Sequence, residues 1–120
     1  MVEPSKAGIA RIKAAFGYSM RGLQACWRME AAFRQEIMAS IILIPLGLYL
    51  GQGGVEKALL VGVYFLVIII EVLNSGIEAV VDRIGREHHE LSGLAKDLGS
   101  SAVLLSLLMF AATWILVLFF

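Results

Sequence analysis

The chain has 120 residues, of which 59% are apolar, and its mean hydropathy is +0.83. This composition excludes a soluble globular domain of such a length and predicts an integral membrane protein with a single domain, residues 1–120. The formal net charge is zero, but six of the ten basic residues lie within the first 34 positions and three more lie between Asp82 and Asp97. By the positive-inside rule, these two basic regions are predicted to be cytoplasmic.

The first predicted element is an amphipathic helix over about residues 5–28. Five apolar residues recur at helical spacing and fall within an arc of ~80°. They are Ile12, Phe16, Met20, Leu23 and Trp27. Basic residues occupy the opposite side, which favours a helix lying on the membrane surface with its basic side toward anionic headgroups. The single cysteine, Cys26, cannot form an intrachain disulfide and falls on the reducing, cytoplasmic side.

The first membrane span is predicted over about residues 30–50. Its apolar part, Ile37 to Leu50, has fourteen residues, whereas a span needs ~20. The helix must therefore begin in the charged part, which brings Glu30 and Glu36 to the cytoplasmic interface. Glu30 is either paired with Arg34 one turn later or free for a binding role.

The second span is predicted over about residues 55–82, after an external turn at 51–54. Three carboxylates follow thirteen uncharged residues, Ala58 to Ile70. At ~100° per residue, one helix face carries five polar side chains, namely Glu71, Asn74, Ser75, Glu78 and Asp82. Carboxylates at membrane depth indicate a functional site. The alternative is an amphipathic helix whose acids meet water or basic partners.

A polar cytoplasmic connection is predicted over 83–95, followed by a third span over about 96–120 that ends outside. His88 and His89 are adjacent, so on a helix they point ~100° apart. No cysteine or spaced histidine completes a zinc set with them. Histidine metal binding is therefore not expected.

With alternating topology, the polar ends of all three spans meet at the cytoplasmic face. Several carboxylates with a lysine and an amide suit Mg²⁺ bound together with phosphate oxygens. Phosphoryl transfer needs such a metal, a cation and a group that orients or deprotonates the attacking hydroxyl. Neither a Walker motif nor the soluble kinase motifs occur. These residues alone also fit a proton path or an ion site.

Three segments resemble the small bacterial integral-membrane diacylglycerol kinase family. They are "EVLNSGIEAVVDRIGREHHELSGLAKDLGSSAVLL" (71–105), "EAAFRQE" (30–36) and "GYSMRGL" (17–23). The pattern E-x-x-N-x-x-I-E-A-x-V-D followed by A-K-D is highly specific. The resemblance implies an all-α homotrimer in the bacterial inner membrane, each subunit having three transmembrane helices and an N-terminal surface helix. It implies transfer of phosphate from MgATP to the free hydroxyl of diacylglycerol, which gives phosphatidic acid.

The resemblance also implies roles for individual residues. Glu71 corresponds to the general base, and Glu30 and Glu78 correspond to metal ligands. The implied nucleotide contacts are Arg11, Tyr18, Glu30, Glu78, Glu87, His88, His89, Lys96 and Asp97. The implied contacts to the lipid substrate or its supports are Arg11, Arg34, Gln35, Glu71, Asn74 and Ser100.

Two other functions stay open at this point. One is an undecaprenol kinase of the same superfamily, which shares the acidic face but acts on a polyprenol. The connection "RIGREHHELSG" (83–93) favours the diacylglycerol branch. The other is a non-enzymatic scaffold or ion-conducting trimer that uses the carboxylates structurally. The expected partners are further copies of the chain, ATP, diacylglycerol and membrane lipid, with no nucleic acid.

Overall fold

The chain forms four α-helices over residues 7–120, the part that the computed structural model describes. In chain order they are α1 (Gly8–Met29), α2 (Ala31–Leu50), α3 (Gly53–Ile84) and α4 (Glu90–Phe119). The predicted all-helical fold is confirmed. Helices α2, α3 and α4 are each long and apolar enough to cross a membrane, as the three predicted spans require. The predicted start of the first helix at residue 5 lies outside the described residues.

The connections between the helices are short. Glu30 alone separates α1 from α2, and its extended backbone (φ −116°, ψ 109°) breaks the helix there. Gly53 opens α3 with a φ of 85°, a left-handed conformation that favours glycine. Only residues 85–89 are non-helical between α3 and α4. Helix therefore extends into both ends of the connection predicted over 83–95.

Helix α4 begins at Glu90, six residues before the predicted start of the third span, and His89 precedes it. Its ring Nδ1 accepts a hydrogen bond from the backbone N–H of Leu91 at 3.1 Å, so His89 is the N-cap. The carboxylate of Glu90 in the first turn also favours a helix start, because it faces the positive end of the helix dipole. Lys96 consequently lies on a helix rather than at its beginning.

The core forms along one side of α3, which lies between α2 and α4 and contacts both. Leu60, Tyr64, Val67 and Glu71 are all buried at intervals of three or four residues, the spacing of one helix face. From α4, the indole Nε1 of Trp114 donates a 3.0 Å hydrogen bond to the carbonyl of Leu60. This bond and the buried row hold α3 at the centre of the bundle.

A second set of contacts ties α2 to α3 and α4. The ring of Phe110 is 5.4 Å from those of both Tyr64 and Trp114. The Tyr64 hydroxyl donates a hydrogen bond to the backbone carbonyl of Glu36 on α2. Gly47 of α2 packs so closely that a Cβ there would lie 3.3 Å from the Leu60 Cβ. These contacts fix the position of Glu36 along the axis of α3.

Helix α1 projects away from the other three. The molecule measures 47 × 42 × 21 Å, and α4 alone, with 30 residues, accounts for about 45 Å. A second dimension of 42 Å exceeds the width of three packed helices, whose axes lie about 8–10 Å apart. The C-terminal end of α1 is nevertheless anchored, since Cys26 is buried.

Most of the large apolar side chains are exposed. Ile41 on α2 is 72% exposed, Phe65 on α3 is 49% exposed and Leu104 on α4 is 57% exposed. Helices with apolar residues on every side are typical of a membrane span. The surface of this single chain therefore suits contact with lipid or with another membrane-embedded chain.

Candidate active site

The acidic face of α3 begins inside the bundle. Glu71 is only 7% exposed and continues the buried row that starts at Leu60. Further along the same face, Glu78 and Asp82 are half-buried. The face therefore leads from a carboxyl group deep among helices to carboxylates that reach the surface.

Glu30 meets this face from the break between α1 and α2. Its extended backbone keeps the residue out of both helices, and its N–H is bonded to the carbonyl of Cys26 at 2.9 Å. The side chains of Glu30 and Glu78 are within hydrogen-bonding contact, and the charge of Glu30 also acts on Glu71. Two touching carboxyl groups must share a proton or a cation, because two adjacent negative charges repel each other.

Three buried side-chain oxygens in the described part of the chain lack a hydrogen-bond partner. They are Oε1 of Glu36, Oε2 of Glu71 and Oδ1 of Asn74. The charges of Glu36 and Glu71 also interact. Buried polar atoms normally have hydrogen-bond partners, so such a group of unpaired acceptors indicates a site that binds a hydrogen-bond donor or a cation.

Glu36 was not among the predicted site residues. A signal for it exists in the sequence, because it is the last charged residue before the apolar run of α2. The only other charged residue within one turn of Glu36 on α2 is Arg34, which is bonded to carbonyls of α1. Placing a carboxylate at membrane depth costs free energy, so such a residue indicates a functional role.

Cys26 anchors the end of α1 beside the same carboxylates. Its Sγ lies 3.5 Å from the hydroxyl of Ser75 on α3. Burial raises the pKa of the Cys26 thiol above its ordinary value, the bond to Ser75 lowers it somewhat, and the charges of Glu30, Glu71 and Glu36 raise it further. The thiol is therefore neutral at physiological pH and acts as a packing contact between α1 and α3.

A polar cavity of about 360 Å³ lies where α3, the 85–89 connection and α4 meet. Its lining includes most of the residues predicted to bind nucleotide from this region, namely Glu87, His88, His89 and Lys96, together with Asp82 and Arg86. The Nζ of Lys96 is 3.0 Å from Oδ1 of Asp82, and its charge also acts on Glu78. Lys96 thus connects the polar cavity to the carboxylate cluster.

An apolar groove of about 630 Å³ lies between α1, α2 and α3. Its lining is almost entirely apolar. Trp27 of α1, Phe33 and Ile44 of α2, and Phe65 and Val72 of α3 contribute to it. The groove reaches the turn of α3 that carries Glu71, because Val72 follows Glu71 directly.

Arg34 does not pair with Glu30. Its Nη1 donates hydrogen bonds to the carbonyls of Trp27 at 2.8 Å and Arg28 at 3.0 Å, at the C-terminus of α1. The Glu30 to Arg34 salt bridge considered from the sequence is therefore absent, since the break at Glu30 turns the arginine toward the unpaired carbonyls of α1. Glu30 stays free to contact Glu78.

Four of the other predicted site residues lie exposed at the surface rather than buried with this cluster. Gln35, Asp97 and Ser100 are exposed, and Arg11 is exposed near the start of α1. Glu30 follows Arg11 by 19 positions, which corresponds to about 28 Å of helix. Tyr18 is half-buried, and the guanidinium of Arg21 lies 4.9 Å from its ring centre.

Among residues 7–120, no group of three or more His, Cys, Asp or Glu side chains is arranged to hold a metal ion. The touching pair Glu30 and Glu78 supplies two carboxylates. That number fits Mg²⁺, which binds through one or two carboxylates and completes its shell with phosphates and water.

Comparisons with known proteins agree with one another. A profile of the family "Prokaryotic diacylglycerol kinase" matches residues 17–118. The diacylglycerol kinase of Escherichia coli (strain K12) is 50% identical over 111 residues, covering 92% of this chain and 91% of the relative. The diacylglycerol kinase of Haemophilus influenzae is 47% identical over 103 residues, covering 86% and 87%. That of Pseudomonas aeruginosa is 45% identical over 109 residues, covering 91% and 89%.

The family match covers all three membrane-length helices and every carboxylate of the cluster. The relatives are bacterial kinases, and the three apolar helices agree with a protein of the bacterial inner membrane. The protein is thus an enzyme, a lipid kinase, and the chain belongs to the prokaryotic diacylglycerol kinase family.

Proposed function

We propose that this protein transfers the γ-phosphate of MgATP to the free hydroxyl of 1,2-diacylglycerol and so produces phosphatidic acid. One observation carries the proposal. The carboxylate of Glu30 interacts with those of both Glu71 and Glu78. An apolar groove reaches the turn of α3 that carries Glu71, and a polar cavity contains Lys96, whose charge acts on Glu78. A lipid alcohol in the groove and a nucleotide in the cavity would therefore both lie near these carboxylates.

The apolar groove is the proposed path of the lipid. The groove has almost no polar lining, so acyl chains can enter it from the membrane without leaving a buried polar group unpaired. Val72 brings the groove to the level of Glu71, where a glycerol hydroxyl would meet an unpaired buried oxygen. We propose that Asn74, Gln35, Arg34 and Ser100 support the lipid headgroup, and that Arg34 does so through its hold on α1.

The polar cavity is the proposed nucleotide site. Lys96 and Arg86 supply positive charge for phosphates, and the rings of His88 and His89 offer flat surfaces with hydrogen-bonding nitrogens. Glu87 lines the same cavity. Asp97 follows Lys96 on α4, and Arg11 and Tyr18 complete the proposed contacts from α1.

Glu30 and Glu78 are the proposed holders of the metal that accompanies ATP. Their contact brings two acceptor groups together, and the charge of Glu30 also acts on Glu71. When bound, Mg²⁺ supplies positive charge that offsets the negative charge of the nucleotide phosphates. Lys96, which also acts on Glu78, adds to that effect from the opposite helix.

Glu71 is the proposed general base. Its free Oε2 accepts the proton of the lipid hydroxyl while the hydroxyl oxygen forms a bond to the γ-phosphorus. The bond from that phosphorus to the bridging oxygen of ATP breaks, and ADP leaves with the electron pair. The proton remains on Glu71 until water at the surface end of the acidic face removes it.

We also propose that α1 lies on the inner surface of the membrane and that three copies of the chain assemble. The apolar residues Ile9, Ile12 and Phe16 of α1 are 84%, 70% and 66% exposed, which supports burial in the lipid interface. The basic residues of α1 and of the 85–89 connection support a cytoplasmic position for both. This orientation directs the C-terminus to the periplasm.

A lipid assay tests the proposed function. The purified protein in detergent is incubated with Mg²⁺ and γ-labelled ATP in the presence of either diacylglycerol or undecaprenol, and the lipids are separated by thin-layer chromatography. Labelled phosphatidic acid is expected. A label on undecaprenol alone would reassign the acceptor, and the lack of any labelled lipid from a folded protein would overturn the proposal.

Glu71→Gln tests the role of the base. The amide keeps the size of the side chain but cannot take a proton, so phosphate transfer should fall by about 10²- to 10⁴-fold. Glu56→Gln is the matched control, because it makes the same change at the far end of α3. Near-normal activity of Glu71→Gln, with a normal elution profile, would remove Glu71 as the base.

A further inference from the structure

Gly99 of α4 faces Asn74 of α3 at very short range. Gly99 is buried, and a Cβ added to it would overlap the side-chain Oδ1 of Asn74. The Cγ of Asn74 would lie 3.2 Å away, and the next atom, Cδ1 of Ile77, would be at an ordinary 3.7 Å. The three atoms nearest to such a Cβ therefore all belong to side chains of α3, and the only ones in tight contact are at the end of Asn74.

Asn74 lies within the carboxylate cluster. It follows Glu71 by three residues and precedes Glu78 by four, so all three side chains share one helix face. Its buried Oδ1 has no hydrogen-bond partner in the described part of the chain. An unpaired buried acceptor is unfavourable, so packing rather than hydrogen bonding holds this amide where it is.

We propose that Gly99 is a positioning residue of the active site. Its missing side chain opens a slot in α4 that holds the amide of Asn74 between Glu71 and Glu78. A methyl group in the slot turns the Asn74 side chain away and leaves the helices packed, because only the end of a rotatable side chain has to move. The inference rests on the proposed function, in which Asn74 supports the lipid headgroup beside the base.

The first measurement is activity. Gly99→Ala should lower the kcat for phosphorylation of diacylglycerol by about 10- to 100-fold, since a displacement of about 1 Å in a positioned group costs that much. The unfolding midpoint in denaturing detergent should stay close to that of the natural chain. Gly76→Ala is the matched control, because a Cβ at Gly76 has no atom within 4 Å, and it should keep full activity.

A second background separates positioning from a general effect on helix packing. Asn74→Ala removes both atoms of Asn74 that a methyl group at position 99 would meet, Oδ1 and Cγ. In that background, Gly99→Ala should cause less than about a twofold further loss, because its partner is gone. A loss in this background as large as in the natural chain would overturn the proposal.

The third measurement does not depend on catalysis. Asn74 is the only asparagine among the 120 residues, so a sample labelled with ¹⁵N at the asparagine side-chain amide gives a single NH₂ group in NMR spectra. Gly99→Ala should shift that signal far more than Gly76→Ala does.

An unmoved signal in Gly99→Ala, or full activity of this variant, would overturn the proposal that Gly99 positions Asn74. If the natural chain phosphorylates neither lipid, the proposed function fails, and the NMR comparison still decides whether Gly99 holds Asn74.

Discussion

Lys96 meets Asp82 at the edge of the polar cavity, and the strength of this pair decides what the lysine can do. The two side chains are 44% and 39% exposed and 3.0 Å apart. An exposed ion pair of this kind contributes about 0–1 kcal/mol. Asp82 therefore holds Lys96 near the cavity so weakly that nucleotide phosphates can draw it away.

Lys96→Met separates catalysis from stability. The change removes the charge while keeping much of the stem, so phosphate transfer should fall by about 10²-fold or more. The free energy of unfolding should change by less than about 1 kcal/mol. Both are measured on one preparation, by the lipid assay and by unfolding in denaturing detergent. Lys57→Met, at the other end of α3, is the matched control, and equal activity of the two variants would contradict the role of Lys96.

Individual residues differ in how far the sequence revealed them. The stripe Glu71, Asn74, Glu78 follows from helical spacing alone, and the family resemblance named Glu30. The contact between Glu30 and Glu78 could not be predicted from spacing, because it joins two helices. Glu36 was missed for the same reason, since its importance comes from the nearness of Glu71 across the α2 to α3 contact.

At the scale of elements, the turn between α2 and α3 is set by one glycine. Gly51 is buried, and a Cβ on it would lie 2.8 Å from Cγ, 2.9 Å from N and 3.0 Å from Cα of Lys57. Two of these atoms belong to the backbone of α3, so no rotamer change relieves the contact. The close approach fixes how α2 passes into α3.

Gly51→Ala should therefore destabilise the protein by about 1–3 kcal/mol, the usual cost of forcing a group into a packed site. Gly54→Ala makes the same change three residues later, where a Cβ has no atom within 4 Å, and should have little effect. Unfolding of both variants in denaturing detergent gives the comparison. Equal midpoints for the two would show that the turn adapts and that this account of Gly51 is wrong.

The break between α1 and α2 determines which partners Glu30 and Arg34 have. The sequence predicted separate helices ending near 28 and starting near 30, and an ion pair between Glu30 and Arg34 was one of two options. The structure has Arg34 bonded to the carbonyls of Trp27 and Arg28 instead. This choice depends on the direction of α1, which no local pattern encodes.

At the scale of the whole molecule, the single chain leaves most of its apolar surface uncovered. In α4, Leu104, Leu108 and Leu116 are 57%, 57% and 61% exposed. Lipid accounts for part of this surface, and we expect two further copies of the chain to cover the rest. Native mass spectrometry from detergent should then give three 13.1 kDa chains. A monomer with full lipid kinase activity would contradict this assembly.

The sequence alone determined that this protein has three helices of membrane-spanning length, two basic regions and an acidic face on the second of these helices. Composition, charge distribution and helical period are local properties, and each can be calculated without knowing which helices touch. Only the tertiary structure decided that Glu30 reaches Glu78, that Arg34 turns to α1 and that Gly99 makes room for Asn74. These outcomes depend on the angles and heights at which helices pack, and such packing is the joint result of many side chains distant in the sequence.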